Sequence, residues 1–132
     1  MKRITDHKLN GLNEALDIIA TDEPGQGNAC HEYEIHLLAS PEAGTPKITA
    51  KPGYATQKIG FQNGPILEAG VNGISNEALL AIVIDRLRGF QSGKFACREN
   101  AVALTKLEEG MMWLQKRTRD REARGVEGRN II

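Results

Sequence analysis

The sequence has no net charge, no long apolar run and only two cysteines, and each absence removes a class of function. Seventeen acidic side chains balance seventeen Lys and Arg over 132 residues. That balance argues against a general nucleic-acid binder, which needs a basic footprint on the phosphate backbone. No apolar stretch approaches the roughly 20 residues of a membrane-spanning helix. The charged first residues are not followed by an apolar segment, so no secretory signal is expected. Cys30 and Cys97 fit no metal-ligand spacing and read as buried thiols in a reducing compartment, the alternative of a disulfide having no support in the sequence. His7, His31 and His36 all fall in the first third of the chain, with no serine or cysteine triad around them and no metal-site spacing. Glu108 and Glu109 are adjacent, so they do not share a helix face as an acid–base pair. No glycine-rich phosphate loop is present. Nothing in this inventory calls for catalysis or a cofactor.

The charges that are present are unevenly placed. Residues 1–70 hold nine acids and six bases, whereas residues 71–132 hold eight acids and eleven bases, and eight of the nine arginines lie in that second part. The same part carries the strongest periodic signal. Ser75 predicts the cap of a helix running to about Gln91, with Leu79, Ile82, Val83, Leu87 and Phe90 on its apolar side and Leu80 and Ile84 widening it. Ser92-Gly93-Lys94 is short enough for an antiparallel return. A second helix is expected from near Ala96, with Ala101, Leu104, Leu107, Met111 and Leu114 at spacings of three and four, continuing without apolar residues to Ala123. At 1.5 Å per residue the helices would be about 25 and 40 Å long. The longer arm is expected to overhang the shorter one and to carry Lys116, Arg117, Arg119, Arg121 and Arg124.

The first part reads as strands and turns. Met1–Asn13 is a polar arm or first edge element. Residues 13–20, NEALDIIA, fit a helix or a strand; Ile18-Ile19, Thr21 and the Pro24–Asn28 turn cluster favour strands over Leu16–Thr21 and Ala29–Leu38. In the second of these, His31, Tyr33, Ile35 and Leu37 alternate with Glu32, Glu34 and His36. Ser40–Gly53 is loop-dominated, with room for a short strand around Lys47–Ala50. A further strand fits Gln57–Phe61, a turn fits Asn63-Gly64, and Pro65–Glu68 fits a returning edge strand. The expected fold class is α+β: a small antiparallel β-sheet over residues 1–70, followed by a long antiparallel helical hairpin over residues 71–132. A sheet this small is marginal alone, and a hairpin this apolar has too little sequence to cover it, so the chain is expected to be oligomeric.

The segments GFQNGPILEAGVNGISNEALLAIVIDRL and FACRENAVALTKLEEGMMWLQKRTRDREARGVEG resemble a family of small phage proteins, the Thoeris anti-defence sponges. Their helical hairpin is shared with sponges that act against CBASS immunity, and the preceding sheet favours the Thoeris type. The resemblance spans about Asn10 to Gly128 and is most specific at Asn72-Gly73 and at Arg117–Arg121–Arg124 before Val126-Glu127-Gly128. It implies a non-enzymatic protein of the host cell cytoplasm that binds cyclic ADP-ribose isomers made by TIR-domain proteins and withholds them from the effector. It also implies a homo-oligomer, a dimer or a hexamer, and, as in some members, separate sites for cyclic di- or trinucleotides.

Six residues are the expected ligand contacts. Arg117, Arg121 and Arg124 stand at offsets of four and three, so they share a helix face. Such forks suit a pyrophosphate, although Asp120 and Glu122 among them also suit ordinary surface ion pairs. Arg98, in the first turn of the long helix, can reach a partner subunit's site or stay exposed. Asn72 precedes a helix, where unpaired N–H groups favour an anion and a side-chain amide can read a base edge or a ribose; a plain turn before a cap fits as well. Phe61 offers a ring for adenine stacking, as does Tyr54, but Phe61 also suits closure of the small core. Trp113, beside Met111 and Met112, reads as hairpin or subunit packing. Two rival functions remain at this point: an enzyme cleaving the same signal, and a structural or regulatory phage oligomer that retains no nucleotide.

Overall fold

Alternation of apolar and polar residues builds the first half of the molecule. In the computed structural model, which describes residues 1–9, 11–38 and 47–132, four strands form an antiparallel meander in the order β1 (Lys2–Ile4), β2 (Leu16–Ala20), β3 (Glu32–Leu37) and β4 (Thr56–Gly60). The ladder pairs Ile18 with Ile4 and Ile35, Ala20 with Tyr33, Leu16 with Leu37, and Tyr33 with Ile59. Paired residues share a sheet face, so one face is almost wholly apolar. The other carries Arg3, Asp17, Glu34, His36, Thr56 and Lys58. The alternation expected in β3 is the alternation found. Residues 13–20 divide between both readings: a one-turn helix, α1 (Gly11–Glu14), runs directly into β2.

Polar clips fix the ends of this sheet. Arg3 donates to both carboxylate oxygens of Asp17, at 2.7 and 3.1 Å. This bidentate pair holds the Asp17 carboxyl below the ordinary carboxylate range, against the upward push of its burial. The β2–β3 connection is tied by Asp22, whose carboxylate accepts from the His31 N–H at 2.9 Å and the Glu32 N–H at 3.1 Å. Those backbone bonds, that of His31 foremost, lower the Asp22 pKa as well. Cys30 is buried nearby and its thiol donates to the Asp22 carbonyl.

Two expected strands are absent. Lys47–Ala50 adopts no regular structure, and residues 40–46 of the same expected loop lie outside the described residues. Pro65–Glu68 is not an edge strand: Pro65 caps a single helical turn, α2 (Ile66–Ala69), closed by Gly70 at φ +72°. Proline pre-sets the backbone angle at a helix start and glycine accepts the left-handed exit, signals that the alternation-based reading passed over.

The helices are α3 (Asn76–Gln91) and α4 (Arg98–Ala123). Ser75 caps α3, its Oγ accepting the Ala78 N–H at 3.1 Å. The helix α4 begins two residues later than expected, and Cys97, exposed where a buried thiol was expected, caps it with its Sγ accepting the Asn100 N–H. Gly125, at φ +72°, ends α4 with a paired return: Val126 N–H to the Arg121 carbonyl and Gly125 N–H to that of Glu122. The seam of the hairpin follows a 3.5-residue repeat. Leu80, Ile84, Leu87 and Gln91 turn inward from α3, and Leu104, Leu107, Met111, Leu114, Thr118 and Arg121 from α4, Ile84 being buried. The face expected to be the principal one is therefore rotated: Ile82, Val83 and Phe90 are exposed. The chain divides into two compact units, Met1–Asn63 and Gly64–Ile132.

Candidate functional site

Register within the hairpin determines what surrounds the arginines. Arg88 on α3 donates to Glu108 on α4 at 2.7 Å. Counting along both helices from that pair brings the start of α3 beside the stretch of α4 that contains Arg117 and Arg121. The expected bare overhang is largely absent, because the chain supplies another cover. After Gly125 the backbone turns back, and the Gly128 carbonyl accepts the N–H of Leu67 in α2 at 3.0 Å. Gly128 is buried at φ +78°, and a Cβ there would stand 2.9 Å from Ile66 Cγ1 and Leu67 Cγ. Only glycine fits both the angle and the space.

The three arginines of the expected face have different surroundings. Arg117 is exposed, and no hydrogen bond or ion pair engages it among the described residues. Its nearest acid along the helix, Asp120, is taken by Lys116 at 2.6 Å, an i,i+4 pair that leaves the Arg117 charge uncompensated. Arg121 is the opposite case. Its side chain is 12% exposed, and its Nε donates to Glu127 at 3.0 Å. Its terminal nitrogens donate to the carbonyls of Val126, Arg129 and Ile131. Four hydrogen bonds thus leave a side chain with five N–H donors. Arg124 is exposed and donates once, to the Ile132 carbonyl at 2.9 Å.

Asn72 lies on the exposed connection between Gly70, which ends α2, and Ser75, which caps α3. Because α2 is bonded to the C-terminal turn that Arg121 holds, the Asn72 connection and the end of α4 are linked within the second unit. Arg98 is not part of that group. It begins α4, 19 residues before Arg117, which places it about 28 Å along the axis. One chain cannot bring both to one small ligand. Arg98 is exposed at the positive end of a 26-residue helix, where a cation is disfavoured by about 0.3–1 kcal/mol. Phe61 belongs to the first unit; it is half-buried and meets Tyr33 edge-on, with centroids 5.6 Å apart and planes at 90°. Tyr54 is exposed.

Two features of the hairpin were not expected from sequence. An indentation of about 430 Å³ lies between the helices beside the Arg88–Glu108 pair, lined by Ala81, Ile84, Met111, Met112 and Gln115. Across α4, Trp113 is 71% exposed and Met112 63% exposed. They border a second hollow of about 390 Å³ with Glu109, Lys116 and Arg119. Trp113 therefore does not pack inside its own hairpin. The one signal for the first feature is the 88–108 charge pair, which only a correct helix register would have revealed.

Comparison with known proteins agrees with this architecture. Residues 54–119 match the model of the Acb2/Tad1 hairpin domain. The chain is also similar to Thoeris anti-defense 1 of Bacillus phage SBSphiJ7, at 61% identity over 112 residues, covering 76% of this chain and 79% of that protein. Identity of this extent, across the sheet-and-hairpin arrangement described above, means that the chain belongs to the Thoeris anti-defence sponge family and is a phage anti-defence protein.

Proposed function

We propose that the protein binds cyclic ADP-ribose isomers produced by TIR-domain immune proteins and sequesters them in the host cytoplasm, without converting them. The observation that carries this reading is Arg117: an exposed guanidinium whose neighbouring acid is already paired with another cation. An uncompensated fork is available to a pyrophosphate, and paired charge-assisted hydrogen bonds of this kind are among the strong ones. Arg124 retains most of its donors and supplements that charge. Asn72, beside a helix start, supplies a polar edge for a ribose or base; Phe61, on the first unit, is a separate candidate ring for adenine stacking. Arg121 lies on the same stretch of helix, with its guanidinium engaged by the C-terminal turn.

The site as proposed needs more than one copy of the chain. Arg98 lies too far from Arg117 to serve one ligand with it in a single hairpin, but a neighbouring subunit's Arg98 can do so. Exposed apolar side chains on both helices, Ile82, Val83, Phe90, Val102, Met112 and Trp113, support a homo-oligomer, a dimer at minimum and a hexamer by preference, because a pair of helices with one buried side chain is poorly stabilised alone. Cyclic di- or trinucleotides would occupy sites separate from this one.

The test is to purify the protein from cells making the TIR signal, denature it, and identify the released small molecule by mass spectrometry. Release of an intact cyclic ADP-ribose isomer is expected. Release of a converted nucleotide would replace sequestration by catalysis, and an oligomer that releases nothing would favour a structural role.

A further inference from the structure

We propose that Arg121 is a positioning residue: through the C-terminal turn and α2 it fixes the connection that carries Asn72. The inference rests on the ligand-binding reading for its functional consequence, but its structural half stands on contacts within the second unit alone. Arg121 continues the inward-facing 3.5-residue repeat of α4, which aims its side chain toward the seam and the returning chain. There it donates to the Glu127 carboxylate and to three carbonyls of the turn. The turn so gathered presents Gly128 to α2, where its carbonyl accepts the Leu67 N–H and its missing Cβ allows Ile66 and Leu67 to close over it. From α2 the chain reaches Asn72 in three residues through the left-handed Gly70. Four of the five Arg121 N–H groups are engaged in this turn, so a two-bond fork to a phosphate would have to take at least one donor from these partners. The charge that meets ligand is Arg117; Arg121 holds the frame beside it.

Three roles for Arg121 make different predictions for the pair Arg121→Lys and Gly128→Ala. A positioning residue requires both variants to weaken binding of a purified cyclic ADP-ribose isomer, each by roughly tenfold, with the double variant no worse than either single one, because both release the same strap. A direct phosphate contact predicts loss for Arg121→Lys and wild-type affinity for Gly128→Ala. A purely structural role predicts wild-type affinity for both. Circular dichroism and light scattering on the same samples verify folding and assembly.

Hydrogen–deuterium exchange on the free protein tests the device without any ligand. In Gly128→Ala, faster exchange is expected at the Leu67 amide and across residues 70–74, with α3 and α4 protected as in the wild type. Unchanged exchange over residues 70–74 would overturn the proposal even if the protein binds nucleotide. Faster exchange there in Gly128→Ala, together with a wild-type protein that binds no cyclic ADP-ribose isomer, would uphold the strap and refute the function proposed for the site.

Discussion

Replacing Arg117 by alanine separates a ligand contact from a solvated surface charge. The side chain is exposed, and Lys116 already pairs with Asp120 at 2.6 Å. Its removal breaks no internal hydrogen bond among those of the described residues, so folding and assembly should not change. If Arg117 meets a pyrophosphate in a water-excluded pocket, truncation leaves a buried charge without its partner, at about 2–5 kcal/mol. That range corresponds to roughly a 30- to 5,000-fold weaker Kd. Isothermal titration of a purified cyclic ADP-ribose isomer into the folded oligomer measures it directly. Arg129→Ala is the matched control. It removes an exposed guanidinium of the same charge, while the Arg129 contact to Arg121 uses only its backbone carbonyl and survives the change. Arg129→Ala should bind as wild type. Wild-type affinity in Arg117→Ala as well would mean that this charge is solvated surface, and the proposed site would fall.

Other outcomes follow from the packing and the charges. Light scattering at micromolar concentration should give at least about 29 kDa, twice the 14.5 kDa chain mass; a value near the chain mass at all concentrations would refute self-association. Trp113→Glu should lower that mass if the exposed Met112–Trp113 surface is an interface, and an unchanged assembly would place the interface elsewhere. Ile84→Ala, at the one buried position of the two helices, should destabilise the hairpin by about 2–5 kcal/mol in denaturant melts, whereas a loss below about 1 kcal/mol would remove Ile84 from the seam. Asp17 and Asp22 both have pKa values lowered by folding, through Arg3 and through the His31 N–H respectively. The unfolded chain therefore takes up their protons first as pH falls, so the stability they provide is present at neutral pH and is lost below about pH 4. Asp17→Asn should flatten that acid limb of a stability–pH profile, and an unaltered limb would show that the Arg3 pair contributes nothing.

Local chemistry determined much of this molecule. Ser75 and Gly125 bound the hairpin because a hydroxyl can satisfy the first N–H groups of a helix and glycine tolerates the left-handed exit. The alternation of β3 assigned Tyr33, Ile35 and Leu37 to one face because a pleated strand leaves no other choice. The charge of the Arg117–Arg124 stretch was equally plain from residue types. The direction of Arg121 was partly legible, since a 3.5-residue repeat extended from Leu104 through Thr118 reaches it, whereas offsets of four and three from Arg117 and Arg124 suggested a shared outer face. Tertiary structure decided the rest. Pro65–Glu68 became a helical turn instead of a strand beside a C-terminal turn some sixty residues away, where Leu67 and Gly128 bond. Arg121 was drawn from the expected ligand face into that turn by carbonyls which form no pattern in sequence. Periodicity and capping act over a few residues and can be read along the chain, but the partner of a buried donor is chosen by which distant segments the fold brings within hydrogen-bonding reach.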